Sequence, residues 1–164
     1  MDLTGNVSTL VIKRVVSSNL GEVSLDSYML NTLMQIDGVT GVMVQEMIKG
    51  KEVFIGAKRE TGFPPLIMCG AGGIYIEALK DHQSVLVPIG RTEAIGMVNK
   101  LKIKPILEGM RGEPSCNLEA FYDAIQKVSN LLQLVPEITE LDLNPLILTE
   151  QDIIAVDVRI KIEK

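Results

Sequence analysis

The chain has 164 residues, 46% of them apolar, with three Phe, three Tyr and no Trp. That is long enough for an aliphatic, methionine-padded core without disulfide staples, and too apolar for a disordered chain. Sixteen Lys and Arg against 21 Asp and Glu leave a net charge of −5 with no basic cluster, which argues against a nucleic-acid partner.

Cys69 and Cys116 lie far apart and form no CxxC or Cys/His spacing, so zinc and redox motifs have no support and a reducing, cytoplasmic setting is expected. Residues 1–12 include Asp2 and Asn6 and lack the basic start and apolar run of a signal peptide. No apolar run reaches the roughly 18 residues of a membrane span, so no membrane partner is expected.

In chain order, the β-branched residues 9–16 predict a strand with Lys13 in its middle. Ser24 can cap a helix whose apolar positions run to Ile36 before Asp37-Gly38 ends it. Residues 42–48 and 52–59 read as two strands of an antiparallel hairpin across Lys49-Gly50-Lys51. A strand at 66–69 runs into Gly70-Ala71-Gly72-Gly73, read as a turn whose backbone a ligand can approach closely. Strands follow at 74–79 and 84–87, with Glu77, Lys80 and Asp81 at the mouth of any site there.

Thr92 is expected to cap a helix with Ile95, Val98 and Leu101 on one face, closed before Pro105. Asn117 is expected to cap the longest helix, with Leu118, Phe121, Tyr122, Ile125, Val128, Leu132 and Val135 as its apolar stripe and Pro136 beyond it. Two strands, 140–148 and 153–160, finish the chain. The order predicts an α+β domain with a mainly antiparallel sheet flanked by helices.

The last hairpin makes the sharpest geometric prediction. If Leu148 pairs with Ile153, Asn144 faces Asp157 and Asp142 faces Arg159 on one side, while Leu141, Leu143, Val156 and Val158 take the other. An amide oxygen beside a carboxylate supplies two hard ligands, and waters and phosphate oxygens can complete a Mg²⁺ octahedron. The plain alternative is a solvated sheet face with an Asp142–Arg159 ion pair.

Other motifs carry two readings each. The glycine cluster can present backbone N–H groups to an anion or simply turn the chain. Arg111 on a loop offers a guanidinium fork to phosphate or to solvent, and Gln45 and Glu46 can meet a base edge or form the polar side of a strand. His82, the single histidine, reads as part of an exposed turn, and the two cysteines read as packing.

Five blocks fall in one order: Val42-Met43-Val44-Gln45-Glu46-Met47, Glu52-Val53-Phe54-Ile55-Gly56-Ala57-Lys58-Arg59, Gly72-Gly73-Ile74-Tyr75-Ile76-Glu77-Ala78-Leu79-Lys80-Asp81, Leu107-Glu108-Gly109-Met110-Arg111-Gly112-Glu113-Pro114 and Glu140-Leu141-Asp142-Leu143-Asn144-Pro145-Leu146. Together they resemble the ATP-grasp domain of ADP-forming (NDP-forming) acyl-CoA synthetases, the acetate–CoA ligase β subunit, over residues 39–160. The resemblance implies an ATP-grasp-like lobe, related to the succinyl-CoA synthetase β subunit, with residues 1–38 a partial strand–helix segment and 39–164 the C-terminal lobe.

It further implies ATP or ADP with Mg²⁺ as ligands. The reaction interconverts acyl-CoA, ADP and phosphate with acid, CoA and ATP through a phosphohistidine on a partner subunit or domain. Carried over residue by residue, Gln45, Glu46 and Met47 meet adenine and ribose, Glu52 holds the ribose, and Lys13 lies on the family's lysine strand. Lys58 and Arg111 neutralise phosphate charge. Gly72, Gly73 and Glu77 meet the phosphohistidine segment, and Asn144 and Asp157, with Asp142 beside them, hold the metal. Residues 14–23 depart from the family in lacking a histidine, and no CoA-binding or ligase domain is present in the sequence. The expected partner therefore carries those domains, and apolar surface left bare would favour self-association. A non-catalytic regulatory or assembly module of the same descent is the alternative.

Overall fold

The computed structural model describes residues 10–13, 31–32, 34–37, 42–45, 48–73, 80–110 and 112–163, with backbone only for 10–13 and 42–45. The chain divides into two compact units, Met1–Ile48 and Lys49–Lys164.

In the first unit, β1 (Leu10–Lys13) and β2 (Val42–Gln45) run parallel, with Leu10 opposite Val42 and Lys13 opposite Gln45. Parallel neighbours need a crossover connection. Residues 14–41 connect them, and helical backbone occurs at 31, 32 and 34, short of the turn that ends at Asp37.

Among its described residues, the second unit holds a six-stranded antiparallel sheet and three helices. Its strands are β3 (Lys51–Lys58), β4 (Leu66–Ala71), β5 (His82–Leu86), β6 (Ile138–Leu148), β7 (Ile153–Ala155) and β8 (Val158–Ile162). The order is β5-β4-β3-β6-β7, and β8 also pairs with β6. The hairpin expected between residues 42–48 and 52–59 does not form, because β3 has both edges occupied, by β4 and β6. His82 opens β5 rather than lying in a turn, and Gly70-Ala71 complete β4.

One sheet face is packed under α1 (Arg91–Asn99) and α3 (Leu118–Leu134), with the short α2 (Lys104–Leu107) between them in sequence. Val53, Ile55, Ile67 and Cys69 on the sheet meet a core that includes Val98, Phe121 and Ile125. Alternation along β3 follows from the pleat: Val53, Ile55 and Ala57 are buried, while Glu52 and Lys58 are exposed.

The α3 signals match expectation. Asn117 Oδ1 accepts the Ala120 N–H at 3.1 Å, and Leu134 is the last helical residue before Pro136. The α1 cap differs. Gly90 occupies the cap position and offers no side-chain acceptor to the helix, Thr92 lies inside the helix, and the Gly90 N–H donates to Glu93 Oε2 at 3.1 Å.

The register of the closing strands is the predicted one: Leu148 faces Ile153, Leu143 faces Val158, and Asp142 faces Arg159. Between the two ladders the Asn144 N–H donates to the Asp157 carbonyl at 3.2 Å, and the Val156 N–H donates to Pro145 at 3.1 Å. On the other side of β6, Val53 pairs with Leu146 but Ile55 pairs with Leu143, so Phe54 opposes both Asn144 and Pro145 in a bulge. That extra residue changes the phase of the strand and keeps Leu141, Leu143, Leu146 and Leu148 all against the core. The apolar side of β8 is less covered than expected. Val158, on this outer strand, is 50% exposed.

Candidate functional site

Directly opposed residues of an antiparallel pair share a face, so the register assigns the sheet's open side. It carries Glu52, Phe54, Gly56 and Lys58 from β3, Asp142 and Glu140 from β6, and Arg159 and Lys161 from β8. Gly56 faces Asp142 on one side and Met68 on the other. With no side chain at Gly56, a groove of about 490 Å³ opens there, walled by Leu66 and Met68 and by the charged side chains of Lys58, Asp142 and Arg159.

Asn144 and Asp157 sit beside this groove at opposed positions, both half-buried. Among the described residues no three His, Cys, Asp or Glu side chains gather into a metal cage. The donors present are instead an amide and a carboxylate, with the Asp142 carboxylate two residues before Asn144. This set fits Mg²⁺, which takes one or two protein carboxylates and fills its octahedron with water and substrate phosphate. In place of the Asp142–Arg159 ion pair of the plain alternative, Arg159 Nε meets Asp157 Oδ2 at 3.3 Å. Arg159 was not singled out as a site residue from the sequence.

Cations around the groove are balanced locally. Lys58 Nζ meets Glu60 Oε1 at 3.3 Å, and Lys161 Nζ meets Glu163 Oε1 at 2.8 Å. The hydrogen bond and charge of Glu163 raise the Lys161 pKa, which keeps that ammonium protonated.

Glu52 and the glycine pair are brought together. The Gly72 N–H donates to the Glu52 carbonyl at 2.8 Å, and Gly73 takes φ +56° beside the Glu52 side chain. A Cβ on Gly72 would come within 2.7 Å of the Glu52 carbonyl carbon, so side chains are excluded where the backbones cross. Glu113 is tied to β3 by an ion pair with Lys51.

Glu46, Met47, Glu77 and Arg111 lie outside the described residues, as do residues 74–79 expected as a strand. Lys13 and Gln45 face each other at the ends of β1 and β2, in the Met1–Ile48 unit. Asp81, expected at the mouth of a site, is turned inward and buried. Its carboxylate accepts the N–H groups of Lys102 and Ile103, each at 2.8 Å, and its carbonyl accepts the Ala71 N–H at 3.0 Å. It therefore joins the α1–α2 turn to the end of β4. Both cysteines are free thiols. Burial, with Asp81 nearby, pushes the Cys69 thiol up to about 12, and burial also raises Cys116, which suits packing roles rather than nucleophilic ones.

Residues 27–162 match an ATP-grasp domain family. The chain is 40% identical over 151 residues to the ADP-forming acetate–CoA ligase I of Archaeoglobus fulgidus, covering 88% of this chain and 22% of that protein. It is 43% identical over 120 residues to the β subunit of the ADP-forming acetate–CoA ligase I of Pyrococcus furiosus, covering 73% of this chain and 52% of the subunit. Among solved structures, a dinucleotide-forming acetyl-coenzyme A synthetase 1 of Ca. Korarchaeum cryptofilum, in complex with coenzyme A and Mg-AMPPCP, superposes with a TM-score of 0.68 at 33% identity. That match covers 73% of this chain and 56% of the other. The chain thus spans about half of the Pyrococcus furiosus β subunit and about a fifth of the Archaeoglobus fulgidus ligase. No helix among the described residues is long and apolar enough to cross a membrane.

Proposed function

The chain belongs to the ATP-grasp domain family, and from that premise we propose that it is the nucleotide- and Mg²⁺-binding part of an ADP-forming acyl-CoA synthetase. The observation that carries the reading is the opposition of Asn144 and Asp157, with Asp142 two residues earlier on the same face. The overall reaction converts acid, CoA and ATP to acyl-CoA, ADP and phosphate through a phosphohistidine, with the CoA and acid chemistry on partner domains or an α subunit.

In this reading Asn144, Asp157 and Asp142 would hold Mg²⁺, which would supply positive charge against the nucleotide phosphates. Glu52 accepts hydrogen bonds from ribose hydroxyls, and Gln45, Glu46 and Met47 meet the base and sugar. Lys13, Lys58 and Arg111 supply positive charge along the phosphates, where phosphoryl transfer depends on positioning and electrostatics. Gly72, Gly73 and Glu77 receive the partner's phosphohistidine segment. Lys58 would exchange its contact with Glu60 for phosphate, an inexpensive step for an exposed pair.

A non-catalytic module of the same descent is favoured by the lack of histidine in residues 14–23. Calorimetric titration of the purified chain with ATP, with and without Mg²⁺, tests the primary reading. Saturable, magnesium-dependent binding that weakens at least about tenfold in Asp157→Asn is expected. Binding indifferent to that substitution would remove Asp157 from the metal site. No binding at millimolar ATP would overturn a nucleotide site held by this chain alone. Phosphorylation of the partner's histidine only when this chain is present separates an enzymatic part from an assembly module.

A further inference from the structure

Three cations line the groove, and each is tied to an acid two positions away along the chain: Lys58 to Glu60, Lys161 to Glu163 and Arg159 to Asp157. Arg159 is distinguished by its partner, because Asp157 is a ligand in the metal site proposed above. We propose that Arg159 is the resident counter-ion of Asp157, yields that carboxylate to Mg²⁺, and carries its guanidinium onto the phosphate chain of the incoming nucleotide.

The inference rests on the Asn144–Asp157 reading and deepens it. Without a metal, Asp142 and Asp157 place two carboxylates on one sheet face. Arg159 stands opposite the first and in contact with the second, so its charge relieves their repulsion. The contact is made through Nε at 3.3 Å, by a guanidinium that is 78% exposed. A single-point pair in that setting holds weakly and is readily displaced. A divalent ion arriving with the nucleotide would compete more strongly for the same carboxylate, and the released guanidinium would then be free at the groove to meet anionic oxygens. Its planar fork matches phosphate in two-point geometry, which a lysine does not reproduce.

The exchange predicts effects of opposite sign on two ligands. Mn²⁺ alone, followed by paramagnetic resonance of the free ion, should bind Arg159→Gln about two- to fivefold more tightly than the parent, because the competing cation is gone. Mg-ATP, followed by calorimetry, should bind the same variant about five- to tenfold more weakly, because the phosphate contact is gone. Arg159→Lys should recover part of the Mg-ATP affinity without the tighter Mn²⁺ binding. Asp157→Asn in parallel distinguishes the two levels of the argument. If it leaves Mn²⁺ binding intact, the metal-site reading fails and this inference with it. If it abolishes Mn²⁺ binding while Arg159→Gln moves both ligands in the same direction, or moves either one not at all, the exchange alone is overturned.

Discussion

Gly73 stands at φ +56° directly against the Glu52 side chain, so close that a Cβ on it would fall 1.7 Å from Glu52 Oε2. The two requirements reinforce each other. Left-handed backbone disfavours any L side chain, and the space a side chain needs is already taken by the carboxylate. Gly73→Ala is therefore expected to cost about 1 kcal/mol in backbone strain and to push the Glu52 carboxylate out of place. Glu52→Gln leaves the backbone undisturbed and removes only the charge. If Glu52 holds ribose, both variants should weaken ATP binding severalfold while only Gly73→Ala lowers the urea midpoint. Calorimetry beside urea unfolding reads the two effects separately. Unchanged nucleotide affinity in Glu52→Gln would confine Glu52 to a local packing role.

Asp81 is the buried acid that ties distant pieces of the second unit together. Its two carboxylate oxygens accept the Lys102 and Ile103 N–H groups, the first part-buried and the second buried. Asp81→Ala should destabilise the fold by about 1–3 kcal/mol, since it removes the acceptor of the buried Ile103 N–H. Asp81→Asn keeps one acceptor and should cost roughly half as much. Denaturant unfolding with an unchanged slope is the measurement, and near-parent stability for Asp81→Ala would mean that water replaces both contacts.

How far sequence reasoning reached depended on the range of the interaction. The α3 stripe and its Asn117 cap were legible because period and cap lie within one segment. The register that joins Asn144 to Asp157 was legible because a four-residue connection, Thr149 to Asp152, fixes it locally. The pairing of β2 was not legible. Lys49-Gly50-Lys51 has hairpin composition, but the decision lay with β4 and β6, which occupy both edges of β3. Asp81 was misplaced for the same reason, since its partners lie some twenty residues ahead. Arg159 was recognised as the rung opposite Asp142, yet a side chain chooses between acids on its own strand and the next, and only the structure shows the choice of Asp157.

Cys69 gives a prediction with a defined sign. Its thiol is raised from an ordinary value of 9.0 to about 12, mainly by burial and secondarily by Asp81. The folded state therefore holds the thiol proton to higher pH than the unfolded state does. The resulting stability is complete below pH 9 and is lost as pH rises through about 12. Near one unit above the unfolded value, the loss amounts to about 1.4 kcal/mol. Urea unfolding of the parent should weaken between pH 8 and pH 10 more steeply than that of Cys69→Ala by about this amount. A thiol-specific reagent should leave Cys69 unmodified until the protein unfolds, and rapid labelling of native Cys69 would contradict its burial.

Asn144 offers the most discriminating substitution at the proposed metal site. Its backbone N–H donates to the Asp157 carbonyl, whereas in the proposed site its side chain would supply the neutral oxygen donor. Asn144→Ala keeps the former and removes the latter, so the fold should persist while Mg-ATP binding falls by about tenfold or more. Asn144→Asp keeps an oxygen and adds a charge beside Asp142 and Asp157. For the free protein this sharpens repulsion among carboxylates, but for bound Mg²⁺ it adds a favourable ligand. Calorimetry across a Mg²⁺ series should therefore show Asn144→Asp retaining magnesium-dependent binding that Asn144→Ala has lost. A surface role for Asn144 predicts the reverse pattern, with Asn144→Ala silent and Asn144→Asp repelling nucleotide phosphates, because an unused carboxylate would then meet anions without a cation between them.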